Sequence, residues 1–233
     1  MKRVAILQSN YIPWKGYFDL LNSVDVFVLY DDVQYTRRDW RNRNKIKTAS
    51  GVRWLTIPVN TKGNFHQRIK DTTIADPIWA SNHFRTIKHE YSRSRTFGLY
   101  GDLLQEWYSK ASKIEYLSEV NELFIREICK LLGIETIIRQ SSEFNLAEEK
   151  SERLLSICQD LDADTYVSGP AAKSYLNTEI FESRGIEVEW YQYAPYKEYE
   201  QLHPPFEHSV TILDLLLNAG DQSQNYMNSF ADQ

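Results

Sequence analysis

No apolar run among the 233 residues approaches the ~20 that a membrane-spanning helix needs. The opening run Val4-Ala5-Ile6-Leu7 ends at Gln8, short of the ~7–15 apolar residues of a signal peptide core. Neither insertion nor export is expected, and the expected location is the cytoplasm. Only two cysteines occur, Cys129 and Cys158, both within predicted helices. Two thiols build no disulfide framework, which fits a reducing compartment. A positive excess is missing too: the net charge is −5, which argues against duplex nucleic acid as a partner. Walker, dinucleotide-binding, zinc-protease, paired-cysteine and nucleophile-elbow motifs are all absent. The five histidines show no zinc-like spacing, so no metal site is expected, and the sequence names no cofactor. Repeats and low-complexity linkers are lacking as well. One domain over residues 1–220 is expected, with 221–233 as a polar, frayed tail.

What is abundant is aromatic. Fifteen Tyr and six Trp cluster with proline in short loops, and rings there serve equally as core filling or as flat walls of a ligand pocket. Apolar periodicity predicts strands over 4–7, 24–30, 52–59, 135–139, 165–168 and 186–191. It predicts helices over 16–22, 77–93, 100–110, 116–132, 149–161, 171–184 and 209–218, with Gly133 stopping the fourth. Residues 31–47 read as a charged loop. Strands alternating with helices give an α/β fold with a mostly parallel sheet flanked by helices, Rossmann-like, and a helical insertion at about 77–132.

Ligands of such sheets bind beyond the carboxyl ends of strands. That rule selects four segments. The first follows the first strand and carries Gln8, Asn10, Tyr11, Trp14, Gly16 and Tyr17 into a helix start, where free N–H groups suit an anion. The second follows the second strand with Asp31, Asp32, Tyr35, Arg38, Trp40, Arg41, Asn42, Arg43 and Asn44. From Arg37 to Lys47 it holds six basic residues and one acid, which suits either a phosphate grip or a solvated loop. The third is Ser168-Gly169 leading to Lys173, a ligand loop or a well-capped helix start. The fourth, residues 193–206, is an aromatic, proline-rich lid carrying His203. Cys158 reads as a packing thiol, since no base partners it.

Residues 8–19, 30–35, 39–44, 54–59, 168–173 and 209–220, in this order, resemble the WbqC-like family. Ser9 departs from the proline more usual there. The resemblance implies a bacterial protein encoded among surface-polysaccharide genes and acting on nucleotide-linked or lipid-linked sugars. A second likeness is to HIGH-type, or HUP-like, nucleotidyltransferases, with Trp14 and Tyr17 standing where their H-x-G-H motif has histidines. The expected function is therefore a transferase that modifies an amino sugar or nucleotide-linked sugar, by acyl or aminoacyl transfer, in O-antigen biosynthesis. Its partner is a phosphate-bearing small molecule, with a carrier-bound donor. Asp31 or Asp32 is the candidate base, Tyr17 and Lys173 join them as catalytic candidates, and the remaining named residues bind substrate. The alternatives are a nucleotidyltransferase-like enzyme and a non-catalytic scaffold of polysaccharide assembly.

Overall fold

The structure, a computed structural model, describes residues 1–193 and 195–231. Its strands in chain order are β1 (Arg3–Leu7), β2 (Val26–Leu29), β3 (Arg43–Thr48), β4 (Gly51–Thr56), β5 (Ile137–Gln140), β6 (Thr165–Ser168) and β7 (Glu187–Trp190). The helices are α1 (Lys15–Asn22), α2 (Trp79–Tyr91), α3 (Phe97–Ala111), α4 (Leu117–Leu132), α5 (Lys150–Asp160), α6 (Glu179–Glu182) and α7 (Ile212–Ala219). Five strands form one parallel sheet in the order β5-β2-β1-β6-β7. This is a Rossmann-like α/β arrangement, and the sequence already pointed to it.

Parallel strands are covered on both faces, so they read as continuous apolar runs such as Val4-Ala5-Ile6-Leu7 and Val26-Phe27-Val28-Leu29. Alternation divides each run between two cores. Ala5, Phe27 and Leu29 meet α1, α2, α3, α4 and α7 on one face, while Val4, Ile6, Val26 and Val28 meet α5 and α6 on the other. The helices between β2 and β5 share the first core with α1. Gly133 ends α4 in the left-handed conformation at φ 66°, as its position after the apolar stripe predicts. No helix of the described residues is long and apolar enough to cross a membrane.

Three expectations are corrected. Residues 43–48 are not loop but strand β3, paired antiparallel with β4 across a turn at Ala49-Ser50 that Gly51 (φ 110°) follows, outside the main sheet. Inward Asn44, Ile46 and Thr48 alternate with Arg43 and Lys45, and the basic residues mask that pattern in the sequence. Residues 171–184 are mostly not α-helix. A 3-10 turn at Pro170–Ser174 and the one-turn α6 replace it, because Asn177 Oδ1 accepts the Glu179 N–H while the Asn177 N–H donates to Ser151 Oγ. The tail is not frayed within the described residues. Asp19 accepts the N–H groups of Asn228 and Ser229, both at 2.8 Å, Gln224 Nε2 donates to the Leu132 carbonyl, and Met227 is buried. Asp232 and Gln233 of that tail, and Ala194 of the expected lid, lie outside the described residues.

Candidate functional site

The order β5-β2-β1-β6-β7 reverses direction between β1 and β6. Loops leaving the carboxyl ends of these two strands diverge, and a cleft opens where they part. It measures about 780 Å³. Gln8 and Asn10 line it from the β1 loop, Ser168 and Gly169 from the end of β6. The loop after β2 adds Asp32, Gln34 and Arg41, and α5 adds Lys150 and Arg153. Tyr30, Tyr166, Tyr175 and Tyr193 supply ring surface.

Arg41 is the most exacting residue of this cleft. Its backbone is pinned from beneath, because Asn121 Nδ2 donates both to the Arg41 carbonyl (2.9 Å) and to Ser9 Oγ (3.0 Å). The Trp40 carbonyl accepts the Tyr11 N–H at 3.0 Å and joins the β1 loop to the β2 loop. The side chain is only 13% exposed. One Nη donates to Asn10 Oδ1, and the nearest carboxylate, Asp39, stands 3.6 Å from the other. Its Nε is buried and finds no acceptor among the described residues. Burial lowers its pKa from the ordinary arginine value, with Asp39 opposing. Asp31 opposes as well, but neither acid forms a close ion pair with it, and a desolvated cation so placed favours an anion brought to it. Arg153, which also lines the cleft, is held by the carbonyls of Ala147 and Glu148 at 2.7 and 2.8 Å, and Lys150 begins α5. Burial raises the Tyr30 phenol, and Arg153 pulls it back down.

The two acids differ in place. Asp32 faces the cleft, but it is paired with Lys70 and with Arg68 at 3.4 Å and accepts Ser141 Oγ–H at 2.8 Å. Asp31 lies behind it, accepting the Ser9 N–H at 2.9 Å beside a small cavity of about 40 Å³ that Glu122 also lines. Burial pushes Asp31 up to about 6, against the pull of Ser9 and Arg41.

A model of the WbqC-like protein family matches residues 8–226. The chain belongs to the WbqC-like family. It is also 47% identical over 227 residues to the uncharacterized protein Rv1507c of Mycobacterium tuberculosis, covering 97% of this chain and 98% of that protein. No solved structure matches it.

In this WbqC-like chain the structure gathers about half of the expected site residues. Gln8, Asn10, Asp32, Arg41, Ser168 and Gly169 meet in the cleft. Trp14, Trp40 and Asn44 line a smaller pocket beside it, which Asn10 also touches. The others are placed elsewhere. Tyr11 is fully buried, its hydroxyl bonded to His83 Nδ1 (2.8 Å) and Tyr108 Oη (2.7 Å). Asn44 spends its amide on the carbonyls of Tyr11 and Ile12, holding Ile12 at φ 37°, and Asn42 donates to the Ile57 carbonyl. Tyr35 is buried in the core. Arg43 lies over the Trp54 ring at 4.1 Å and reaches the Arg38 carbonyl, so neither arginine joins the cleft. Lys173 sits over Trp190, 5.5 Å from the ring centre, and is not among the cleft walls. Tyr17 Oη donates to the Gln8 carbonyl at 3.2 Å and so positions that loop. Lys15 donates to the Lys197 carbonyl, and burial lowers it to about 8. Reading strand ends alone misses Lys150 and Arg153. The same rule applied to the end of β5 leads to them through the segment that opens α5.

Gly16 has a role other than the expected close approach to a ligand. The Trp14 indole folds back over it, and a Cβ there would lie 2.4 Å from the ring. Gly16→Ala must displace Trp14. It is expected to destabilise the fold by about 1–2 kcal/mol, an overpacking cost visible in urea unfolding.

Proposed function

We propose that this WbqC-like protein is a transferase that binds a nucleotide-linked amino sugar through its phosphates in the switch-point cleft. It places an acyl or aminoacyl group on the sugar amine, in the cytoplasm, during O-antigen assembly. The observation that carries the reading is the buried guanidinium of Arg41, without a close ion pair, lining with Lys150 and Arg153 a cleft with tyrosine walls. Three cations lining one space suit a diphosphate, and phenol rings suit a base or sugar beside it. In the transfer the amine attacks the donor carbonyl. A C–N bond forms as the bond to the carrier breaks, the amine proton passes to a carboxylate, and the carrier leaves with the electron pair. Asp32 is the carboxylate that lines the cleft, so it takes the proton in this scheme. The sugar and polysaccharide setting comes from the family resemblance.

The nucleotidyltransferase alternative is weakened by the residues at the two histidine positions. Trp14 is packed on Gly16, and the Tyr17 hydroxyl is engaged by Gln8. Neither is an imidazole free to activate a phosphate.

A thermal-shift screen tests the proposal with nucleotides, nucleotide sugars and coenzyme A, with and without magnesium. A nucleotide sugar at 100 times its Kd is expected to stabilise the chain by about 2.7 kcal/mol. A hit confined to triphosphates with magnesium would move the assignment to nucleotidyl transfer. A flat screen would favour the scaffold. Product formation from a nucleotide amino sugar and an acyl-coenzyme A is then read directly.

A further inference from the structure

Beside the cleft lies a second space of about 240 Å³, lined by Asn10, Pro13, Trp14, Trp40, Asn44 and Ser209. None of these side chains is charged, whereas the cleft next to it is lined by Arg41, Lys150 and Arg153. We infer that this pocket receives the sugar ring of the ligand whose phosphates rest on Arg41, with the sugar amine at its mouth, turned to the cleft that Asp32 lines. The inference rests on the phosphate-binding reading of the cleft and adds to it a place for the sugar.

Four observations carry it. Asn10 lines both spaces, and its Oδ1 is held by the Arg41 guanidinium. A ligand gripped by Arg41 therefore meets the pocket one side chain away. The Asn10 Nδ2 makes no hydrogen bond among the described residues, which leaves an amide donor at the junction. Size is the second observation. The space is below the ~300–1,000 Å³ of pockets that enclose a whole drug-sized ligand, so it suits one ring and not a nucleotide.

The walls are the third. Trp40 is braced against Trp54 with ring centres 5.3 Å apart, and Arg43 covers Trp54 at 4.1 Å. Trp14 is braced by Tyr193 at 5.6 Å and Tyr196 at 5.7 Å, and it fills the space above Gly16. Neither indole must be ordered when a ligand arrives, so little rotamer entropy is lost on binding. Chemistry is the fourth. A pyranose has an apolar face of C–H groups and a rim of hydroxyls, and flat indole walls edged by the Asn10 amide match both. The base has its own surface, since Tyr30 and Tyr175 line the larger cleft.

The test is calorimetric titration of the intact chain with matched pairs: UDP with UDP-N-acetylglucosamine, GDP with GDP-mannose, and dTDP with dTDP-glucose. The sugar-bearing member of at least one pair is expected to bind roughly tenfold tighter than the bare diphosphate, the upper range for a ring packed on an aromatic wall. Trp40→Ala is expected to bring that ratio near one, and Trp40→Phe, which keeps a flat wall, to preserve most of it. Trp40 is 39% exposed, so both variants should keep the wild-type circular dichroism spectrum. A ratio that Trp40→Ala leaves intact, or a wild-type ratio near one, overturns the pocket while leaving the phosphate reading in place. Failure of every diphosphate and every sugar ester to bind overturns both.

Discussion

Arg41→Met is expected to weaken nucleotide-sugar binding by about 2–4 kcal/mol, roughly 30- to 1,000-fold in Kd, without destabilising the fold. The two halves of this expectation have one cause. Arg41 is desolvated, its Nε has no acceptor among the described residues, and Asp39 at 3.6 Å is its nearest counter-charge. A cation so placed contributes little to the empty protein, and an apolar chain of similar length relieves its desolvation. Its backbone contacts to Asn121 and Tyr11 survive the substitution, since they run through the Arg41 and Trp40 carbonyls. Methionine also packs adaptably into the irregular space left behind. A structural arginine behaves in the opposite way, because breaking a well-made buried pair costs about 3–5 kcal/mol. Urea melts and titration with UDP-N-acetylglucosamine on the same preparations separate the two. A collapse in stability with binding intact would remove Arg41 from the site.

The same residue shows where the sequence speaks and where it falls silent. Parallel strands announce themselves, because burial on both faces demands unbroken apolar runs, and residues 165–168 were legible to the residue. Arg41, Arg38 and Arg43 look alike in a basic run. What distinguishes them is the partner: the β2 loop turns Arg41 toward Asn10 and the cleft, while Arg43, whose Nε is buried too, packs on Trp54 and the Arg38 carbonyl. That placement depends on long-range pairing, such as that of Asn121 with Ser9, 112 residues away in the chain, which no local window contains. Strand β3 was hidden for a related reason. Its inward residues Asn44 and Thr48 are polar because they bond backbone and loop, so its alternation is not one of hydropathy. The tail looked frayed because its anchor is a distant carboxylate, Asp19, and not its own apolar content.

Asp31→Asn is expected to raise stability at pH 8 by up to about 3 kcal/mol and to expose an acid sensitivity that the wild type conceals. Burial raises Asp31 from its ordinary 3.8 to about 6. Between those values the folded state holds a proton that the unfolded chain has released, so stability falls as pH rises through the window and stays low above it. His83 acts in the opposite sense. Burial lowers it from 6.5 to about 4, so the unfolded chain takes its proton first and stability falls as pH drops through nearly the same window. In the wild type the two slopes largely cancel. Asparagine keeps an oxygen for the Ser9 N–H and has no proton to exchange, which removes the Asp31 slope that opposes that of His83. The variant should therefore be the more stable protein at pH 8 and lose that advantage by pH 4. Burial raises Asp214 too, but that group is common to both proteins and drops out of the difference. Paired urea melts from pH 4 to pH 8 give the result, and equal pH profiles for the two proteins would refute the burial argument. Asp31 is thus a carboxylate that destabilises the fold at neutral pH, one residue from the acid that lines the cleft. On the proposed reading, loss of acyl transfer in the more stable variant would give Asp31 a part in it.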